Sequence, residues 1–192
     1  KTFNAELAAY ILDRHGVTSY LELEFEKLYA RLFLATTRGG GQGARKRYAG
    51  IRAGDDEVEF VGMEVVRRDW TDLAKEVQRE LFKRLFHGDT VVEYLGHKVA
   101  DVRSGACDTQ LVYRKGLRKS VDSYTTHVPP HVQAVKKSSA PPPRVVRYIV
   151  TEQGPELESE LMHPPDREHY VQKQIRPVAE PVLEALGLVF AQ

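Results

Sequence analysis

The stretch GARKRYAGI, from Gly43 to Ile51, places three consecutive cations on a segment that reads as an extended strand. A run with glycines at positions 39, 40, 41 and 43 leads into it and predicts a loop. Between Arg38 and Arg52 there are five basic residues and no acidic one. This is a strong local concentration in a chain whose net charge is only +1, from 28 basic and 27 acidic residues.

The segments around this stretch predict an antiparallel sheet with a helix on it. Residues 3–14 have apolar side chains at helical spacing, and Gly16 stops the helix. In LELEFE, residues 21–26, apolar side chains alternate with glutamates, which predicts a half-buried strand with its carboxylates on one face. Residues 29–36 and 58–61 predict two further strands.

The composition changes between Arg67 and Trp70, and the chain that follows is mainly helical. An apolar stripe at every fourth residue, with Asp69 as predicted N-cap, indicates a helix with one buried face. The stripe consists of Leu73, Val77, Leu81 and Leu85. Asp89 is the predicted cap of a second helix, which Gly105 ends.

Further elements are predicted towards the C-terminus. Pro129 and Pro130 suit the start of a helix, and the strand VVRYIVT follows a proline-rich loop. Residues 166–186 predict a helix limited by Pro177 and Pro181. The fold class is therefore α+β, with a partial antiparallel sheet and a helix in residues 1–68. A mainly helical part with a few short strands fills residues 69–192.

The composition excludes several classes of protein. No apolar run reaches 18 residues, so no membrane span is expected, and no secretion signal is recognisable. A single cysteine, Cys107, excludes an internal disulfide and a cysteine-built metal site. A reducing compartment fits this best, and we expect a cytoplasmic protein.

Motifs for catalysis or metal binding are weak. RGGGQG lacks the lysine and serine or threonine of a phosphate-binding P-loop, and Cys107 has no readable catalytic partner. Two prolines between His127 and His131 prevent the regular helical face that a metal pair requires. The glutamates of residues 21–26 could approach a divalent ion together, although a solvent-facing strand has the same pattern.

Basic clusters that contain tyrosine are the more informative feature. They occur at residues 45–48 and 113–115, and the carboxylates lie in other segments. Lysine and arginine on extended backbone suit contact with phosphate, and tyrosine can pack on a sugar. Segregation of charge can create a positive face on a neutral protein, although such runs also occur on ordinary solvated surfaces.

Seven stretches in order give this pattern a family context: LELEFEKLYARLFL, RKRYAG, VGMEVVRRDW, LVYRKGLRK, PPHVQA, RYIVTEQGPE and DREHYVQKQIRPVAE. With their spacing, they resemble the C-terminal portion of family B DNA polymerases, particularly the bacterial polymerase II branch. The resemblance implies the end of a palm domain in residues 1–68 and a thumb domain in residues 69–192. Neither aspartate motif of the palm is present, and we expect a fragment that begins after the second of them.

The resemblance also implies contact residues for primer–template DNA. Lys46, Arg47 and Tyr48 match a K-x-Y motif that clamps the duplex near the primer end, with Arg45 beside it. The thumb candidates for phosphate contact are Arg114, Lys115, Arg118, Lys119 and His131. Glu26 matches an acidic position near the metal-bound active site, where it would act only together with the rest of the palm. Arg67 and Asp69 match the palm-to-thumb junction.

The parent enzyme implied by this resemblance adds deoxynucleotides by two-metal phosphoryl transfer with Mg²⁺, near the bacterial nucleoid. Its partners are primer–template DNA, the remaining palm, fingers and exonuclease regions, and a sliding clamp. The fragment is expected to be inactive alone, without bound metal or membrane contact. LGLVFAQ is assigned to the final helix, so no clamp binding by this chain is expected. A stand-alone nucleic-acid-binding module is the alternative, and it should expose no bare sheet edge or flat apolar face.

Overall fold

The computed structural model describes residues 2–36 and 43–190, and it confirms the α+β fold class. The helices are Thr2–His15 (α1), Asp72–His87 (α2), Val92–Ser104 (α3), Pro130–Lys137 (α4), Arg167–Tyr170 (α5) and Arg176–Ala185 (α6). The strands are Tyr29–Thr36 (β1), Gly43–Arg52 (β2), Val58–Val61 (β3), Tyr113–Gly116 (β4), Val145–Thr151 (β5) and Gly154–Leu157 (β6). The predicted loop at residues 39–43 lies almost entirely outside the described residues.

The first sheet has β2 at its centre, paired antiparallel with β1 and β3. Because side chains alternate between the two faces of a strand, Ala49 and Ile51 both turn toward the core and are buried. Phe33 and Phe60, from the outer strands, pack against Phe82 of α2. The apolar core therefore continues from this sheet into the helical part of the chain.

The opposite face of the first sheet is open. Leu34 of β1 is 63% exposed, and Leu32 beside it is also exposed. Tyr48 is the register partner of Leu34, and Lys46 lies two residues before it on the same face. Among the described residues, no second layer covers the apolar side chains on this face.

Helix α2 presents the predicted apolar stripe to the core. Leu73, Val77 and Leu81 are buried, and Leu85 is half-buried. The prediction of Asp69 as N-cap is wrong, because Asp69 pairs with Arg67 instead. The cap is Thr71, whose hydroxyl accepts a hydrogen bond from the backbone N–H of Ala74 at 3.3 Å.

The second sheet has β5 between β4 and β6, all antiparallel. Tyr113 and Tyr148 are register partners, and their rings stack with centroids 5.1 Å apart. Helix α4 packs over β5 and β6. It begins at Pro130, as predicted, since the first helical residue has no intrahelical use for its N–H.

The C-terminal helical segment packs against α2. A π-helical turn, Val171–Ile175, joins α5 to α6, and Pro181 lies inside α6. Gln174 in the π-turn is buried, and its Oε1 accepts from the Thr71 hydroxyl at 2.8 Å. The end of the chain thereby fixes the start of α2.

The predicted strand at residues 21–26 is wrong. Residues 17–28 contain neither helix nor strand, and Phe25 is 84% exposed. A strand needs a neighbour to pair with its N–H and C=O groups, and none of the described strands pairs with this segment. Helix α1 has no buried residue either, so the helix on the first sheet is α2.

Two predicted helix termini also differ. Helix α6 ends at Ala185 and Gly187 adopts φ 69°, so the assignment of residues 186–190 to the final helix is wrong. The chain then turns back and Phe190 packs against the core. Asp89 does not cap α3, which begins at Val92 without a side-chain cap. Within the described ranges, no helix has both the length and the apolar character to cross a membrane.

Candidate nucleic-acid interface

Strand β2 presents the basic stretch on alternate faces of the first sheet. Lys46 is exposed on the open face, and Arg47 turns the other way. Tyr48 returns to the open face, half-buried, with its ring centroid 5.9 Å from that of Tyr29. The side chain of Arg45, also predicted to contact DNA, lies outside the described part of the structure.

Arg47 forms a buried link within the protein. Its guanidinium donates to Glu64, whose side chain is almost fully buried. The Glu64 carboxylate also accepts from Nε2 of Gln78 at 2.9 Å, and Oε1 of Gln78 accepts from the N–H of Val65 at 2.7 Å. A buried carboxylate requires such partners because an unpaired buried charge is strongly destabilising. Arg47 therefore joins β2 to α2, and its charge is already paired.

A shallow basic depression lies where the chain passes from the first sheet into α2. Its volume is about 390 Å³. Five cations and one acid line it: Arg67, Arg68, Arg114, Lys115, Arg118 and Asp69. Residues from the predicted thumb cluster and from the junction thus share one surface, which we call the basic depression. Such a concave cationic surface is suited to polyanions.

Ion pairs hold part of this basic depression in place. Asp69 accepts from Arg67 at 2.9 Å and lies 3.4 Å from the Lys115 ammonium. Asp72, at the start of α2, pairs with both terminal nitrogens of Arg114 at 3.0 and 3.2 Å. The Arg67 guanidinium lowers the pKa of Asp69, and that of Arg114 lowers the pKa of Asp72. Both acids are therefore ionised at neutral pH.

Four of the basic side chains discussed so far have no ion-pair partner among the described residues. Arg68 and Arg118 make no ion pair within 4 Å with any residue in the described ranges, and the same holds for Lys46 and Lys119. Five cations against Asp69 and Asp72 leave the basic depression with an excess of positive charge. Lys119 is exposed just beyond Arg118 but does not line the basic depression.

His131 is placed differently from the other thumb candidates. It is 8% exposed and packs between Tyr124 and Tyr148, with both ring separations 6.5 Å. Burial and the charge of Lys115 lower its pKa, so the imidazole is neutral at pH 7. It supports the sheet under the basic depression and adds no positive charge. Tyr113, which the sequence groups with Arg114 and Lys115, is likewise a core residue stacked on Tyr148.

The protonation of His131 is expected to couple stability to pH. Its pKa is lower in the folded than in the unfolded chain, so the unfolded chain binds this proton first as pH falls. The contribution of His131 to the free energy of unfolding is therefore fully present above about pH 6.5 and is lost as the pH falls below that value. Urea unfolding of the wild type and of His131→Phe between pH 7.5 and 5.5 should show a shallower decline in the variant. Equal declines would contradict this prediction.

Glu26 does not belong to a metal centre in the part of the chain that the structure describes. Its side chain is 83% exposed, and Lys27 lies 3.6 Å away. Over residues 2–36 and 43–190, no group of three or more histidine, cysteine, aspartate or glutamate side chains is arranged to hold a metal. The described residues by themselves therefore do not form a Mg²⁺ site.

Two cations of the basic depression, Arg67 and Arg68, are not among the DNA contacts predicted from the sequence. Arg68 has no match in the K-x-Y motif or in the thumb cluster, and Arg67 was assigned only to the junction. The signal that could have identified both is the pair Arg67–Arg68 directly before the apolar stripe of α2. Cations at the entry of a helix that packs on a sheet are brought to the sheet's edge.

Known proteins resemble this chain over nearly its whole length. The family model described as DNA polymerase family B matches residues 2–185. The chain is 38% identical to DNA polymerase II of Escherichia coli (strain K12), over 95% of this chain and 25% of that protein. It is 32% identical to a DNA polymerase of Pyrococcus horikoshii, over 87% of this chain and 14% of that protein. The chain thus spans a quarter or less of the length of these relatives.

A solved structure agrees in fold. The family B DNA polymerase from Pyrobaculum calidifontis superposes with a TM-score of 0.67 at 23% identity. The superposition covers 99% of this chain and 25% of that one. At this identity the likeness shows that the two share an arrangement of helices and strands.

Proposed function

The chain belongs to family B of the DNA polymerases, and on this premise we propose that it grips primer–template duplex DNA through backbone phosphates. The observation that carries the proposal is the basic depression, in which Arg68 and Arg118 have no acidic partner among the described residues. Unpaired surface cations gain most from phosphate, because they give up no ion pair when they bind. The positive potential of the basic depression is increased by three further cations, Arg67, Arg114 and Lys115. Ion pairs with Asp69 and Asp72 hold these side chains in position.

Lys46 extends this surface onto the first sheet. A Cβ at Gly62 would lie 1.9 Å from the carbonyl oxygen of Lys46, so the chain leaving β3 runs directly against the start of the K-x-Y motif. From Gly62 the chain continues through the 3-10 turn Glu64–Val66 to Arg67. Lys46 is thereby tied to the segment that enters the basic depression, and we propose that one duplex contacts both.

We assign residues 1–68 to the end of a palm domain and residues 69–192 to a thumb domain. The open face of the first sheet supports the first assignment, because Leu32 and Leu34 need a covering layer that the described residues lack. We propose that further palm elements of a longer polymerase supply this layer. The same open face argues against the alternative of a stand-alone nucleic-acid-binding module. A sliding clamp is proposed as a partner of the longer enzyme.

Catalysis would belong to that longer enzyme. The sequence contains neither aspartate motif of the polymerase palm, and two-metal phosphoryl transfer depends on those carboxylates. We propose that this chain holds the duplex, while the catalytic part of the longer enzyme adds deoxynucleotides with Mg²⁺. Glu26 is proposed as an auxiliary acid there.

The test of duplex binding is a salt titration with a labelled primer–template, followed by fluorescence anisotropy. Affinity should fall steeply as salt rises, because each phosphate contact releases counterions. Lys46→Ala, Arg68→Ala and Arg118→Ala should each reduce the slope of log K against log salt by about one.

Arg103→Ala is the matched control for charge. Arg103 has a side-chain exposure of 48%, lies on α3 and pairs with Glu168, so its removal should leave the slope unchanged. Absence of binding at low salt would overturn the proposed function. If Arg103→Ala reduced the slope of log K against log salt as much as the three variants do, binding would depend only on net charge and not on these contact residues.

The chain alone is expected to incorporate no nucleotide into a primer–template in the presence of Mg²⁺. The physical reason is that the described residues offer no cluster of carboxylates to hold two metals near a primer end. Denaturing gel electrophoresis of a labelled primer after prolonged incubation measures this directly. Primer extension by the purified chain, absent from a mock preparation, would contradict it.

A further inference from the structure

Tyr29 of β1 crosses the open face of the first sheet at Gly50. A Cβ at Gly50 would lie 2.7 Å from Cδ1 of Tyr29, so any larger residue would displace the ring. Gly50 is the register partner of Glu59 in β3. The glycine therefore opens a gap through which a side chain from one outer strand reaches the other outer strand.

Glu59 holds the far end of Tyr29. The Tyr29 hydroxyl donates to Oε2 of Glu59 at 2.9 Å, and Nε of Arg52 donates to the same oxygen at 2.9 Å. The ammonium of Lys27 donates to the other carboxylate oxygen. Hydrogen bonds from Arg52 and Lys27 lower the pKa of Glu59 to about 2. Glu59 is therefore ionised at neutral pH and accepts hydrogen bonds from three donors.

Tyr29 in turn supports Tyr48. Their rings meet edge to face, with an interplanar angle of 76°. Burial raises the pKa of Tyr29, and its hydrogen bond to Glu59 raises it further. The Tyr29 hydroxyl donates to Glu59, and this bond holds the Tyr29 ring in place against Tyr48. The orientation of Tyr48 is thus set by residues outside its own strand.

We propose that Tyr29, anchored by Glu59 through the gap at Gly50, is a positioning residue that holds Tyr48 beside Lys46 for primer–template DNA. This inference rests on the proposed function. Tyr29 does not itself need to reach the duplex, since its hydroxyl is directed at Glu59. Its contribution is to keep the half-buried Tyr48 in one orientation on an otherwise open sheet face.

A double-mutant cycle with Tyr29→Phe and Tyr48→Phe tests this role. Tyr29→Phe keeps the ring over Gly50 and removes only the hydroxyl. It should weaken primer–template binding about threefold to tenfold, as expected for one lost hydrogen bond, with an unchanged salt slope. In the Tyr48→Phe background it should have no further effect, because both residues act through one contact.

Tyr94→Phe is the matched control. The Tyr94 hydroxyl is buried on α3 and has no hydrogen-bond partner within the described ranges, so its removal should not alter binding. Additive effects of Tyr29→Phe and Tyr48→Phe, or full affinity in Tyr29→Phe, would overturn the proposed positioning role.

A second measurement separates this inference from the proposed function. In the free chain labelled with ¹³C at tyrosine Cζ, the Tyr48 resonance is identified by its absence in Tyr48→Phe. It should move in Tyr29→Phe and in Glu59→Gln, and stay in place in Tyr94→Phe. If the wild type binds no DNA, the proposed function fails and this resonance alone decides the contact. A Tyr48 resonance unmoved in Tyr29→Phe would overturn the inference whatever the DNA result.

Discussion

Replacing Phe82 with alanine is expected to lower the free energy of unfolding by about 3 to 5 kcal/mol. Phe82 is fully buried on α2 and meets three other rings: Phe33 at 5.0 Å, Phe60 at 5.7 Å and Phe86 at 5.9 Å. Two of these rings come from the first sheet. The substitution removes the transfer free energy of a large side chain and leaves a cavity between sheet and helix.

Phe25→Ala is the control, because it removes the same atoms from a side chain that is 84% exposed. It should change stability by no more than about 0.5 kcal/mol. Urea unfolding followed by circular dichroism gives both values. If Phe82→Ala cost as little as Phe25→Ala, the first sheet and α2 would not share a core. That result would separate residues 1–68 from the helical part as independent folding units.

Gly62→Ala is expected to lower the free energy of unfolding by about 2 to 5 kcal/mol, for two reasons that add. Gly62 adopts φ 63°, a conformation that costs an L-residue about 1 to 2 kcal/mol. A Cβ there would also lie 1.9 Å from the carbonyl oxygen of Lys46, and relieving such a contact typically costs about 1 to 3 kcal/mol. The backbone of β2 would have to move at Lys46, so duplex binding should weaken as well.

Gly54→Ala separates the cost of the backbone conformation from the cost of the steric contact. Gly54 has φ 85°, and a Cβ there would meet nothing within 4 Å. Its substitution should therefore cost only the conformational term, about 1 to 2 kcal/mol, and leave duplex binding intact. Urea unfolding and the anisotropy assay measure both variants. Equal losses of stability at the two glycines would show that the contact with Lys46 is relieved without cost.

Local sequence patterns predicted several of the helices and strands. The stripe from Leu73 to Leu85 produced α2, and Gly16 and Gly105 end α1 and α3 as expected. Strands β1, β3 and β5 were also placed correctly. Apart from α1, which has no buried residue, these segments carry enough apolar periodicity to bury one face against a neighbouring layer, so their conformation depends little on which layer that is.

Residues 21–26 show where this reasoning fails. Their alternation is as regular as that of a strand, but a strand is stabilised by hydrogen bonds to a neighbour, which the pattern does not contain. The prediction of the N-cap of α2 failed for a related reason, because the cap also depends on contacts with residues distant in sequence. Asp69 and Thr71 are both residue types that can cap a helix. Thr71 is the N-cap in the structure, because Asp69 is paired with Arg67 and Lys115. The Thr71 side chain is held in place by Gln174.

In the candidate site, too, some features were predictable from the sequence and others only from the tertiary structure. By itself the sequence determined the family, the α+β class, the cations on the strand at residues 43–51 and the second basic cluster at residues 113–119, since these follow from residue order and periodicity. Only the tertiary structure decided which cations are free for a ligand. Arg47 is paired with Glu64, 17 residues away, whereas Arg68 and Arg118 line the basic depression without a described partner. Ion pairs and burial depend on distances in space, and a charge run contains no information about the residue that folding brings opposite each cation.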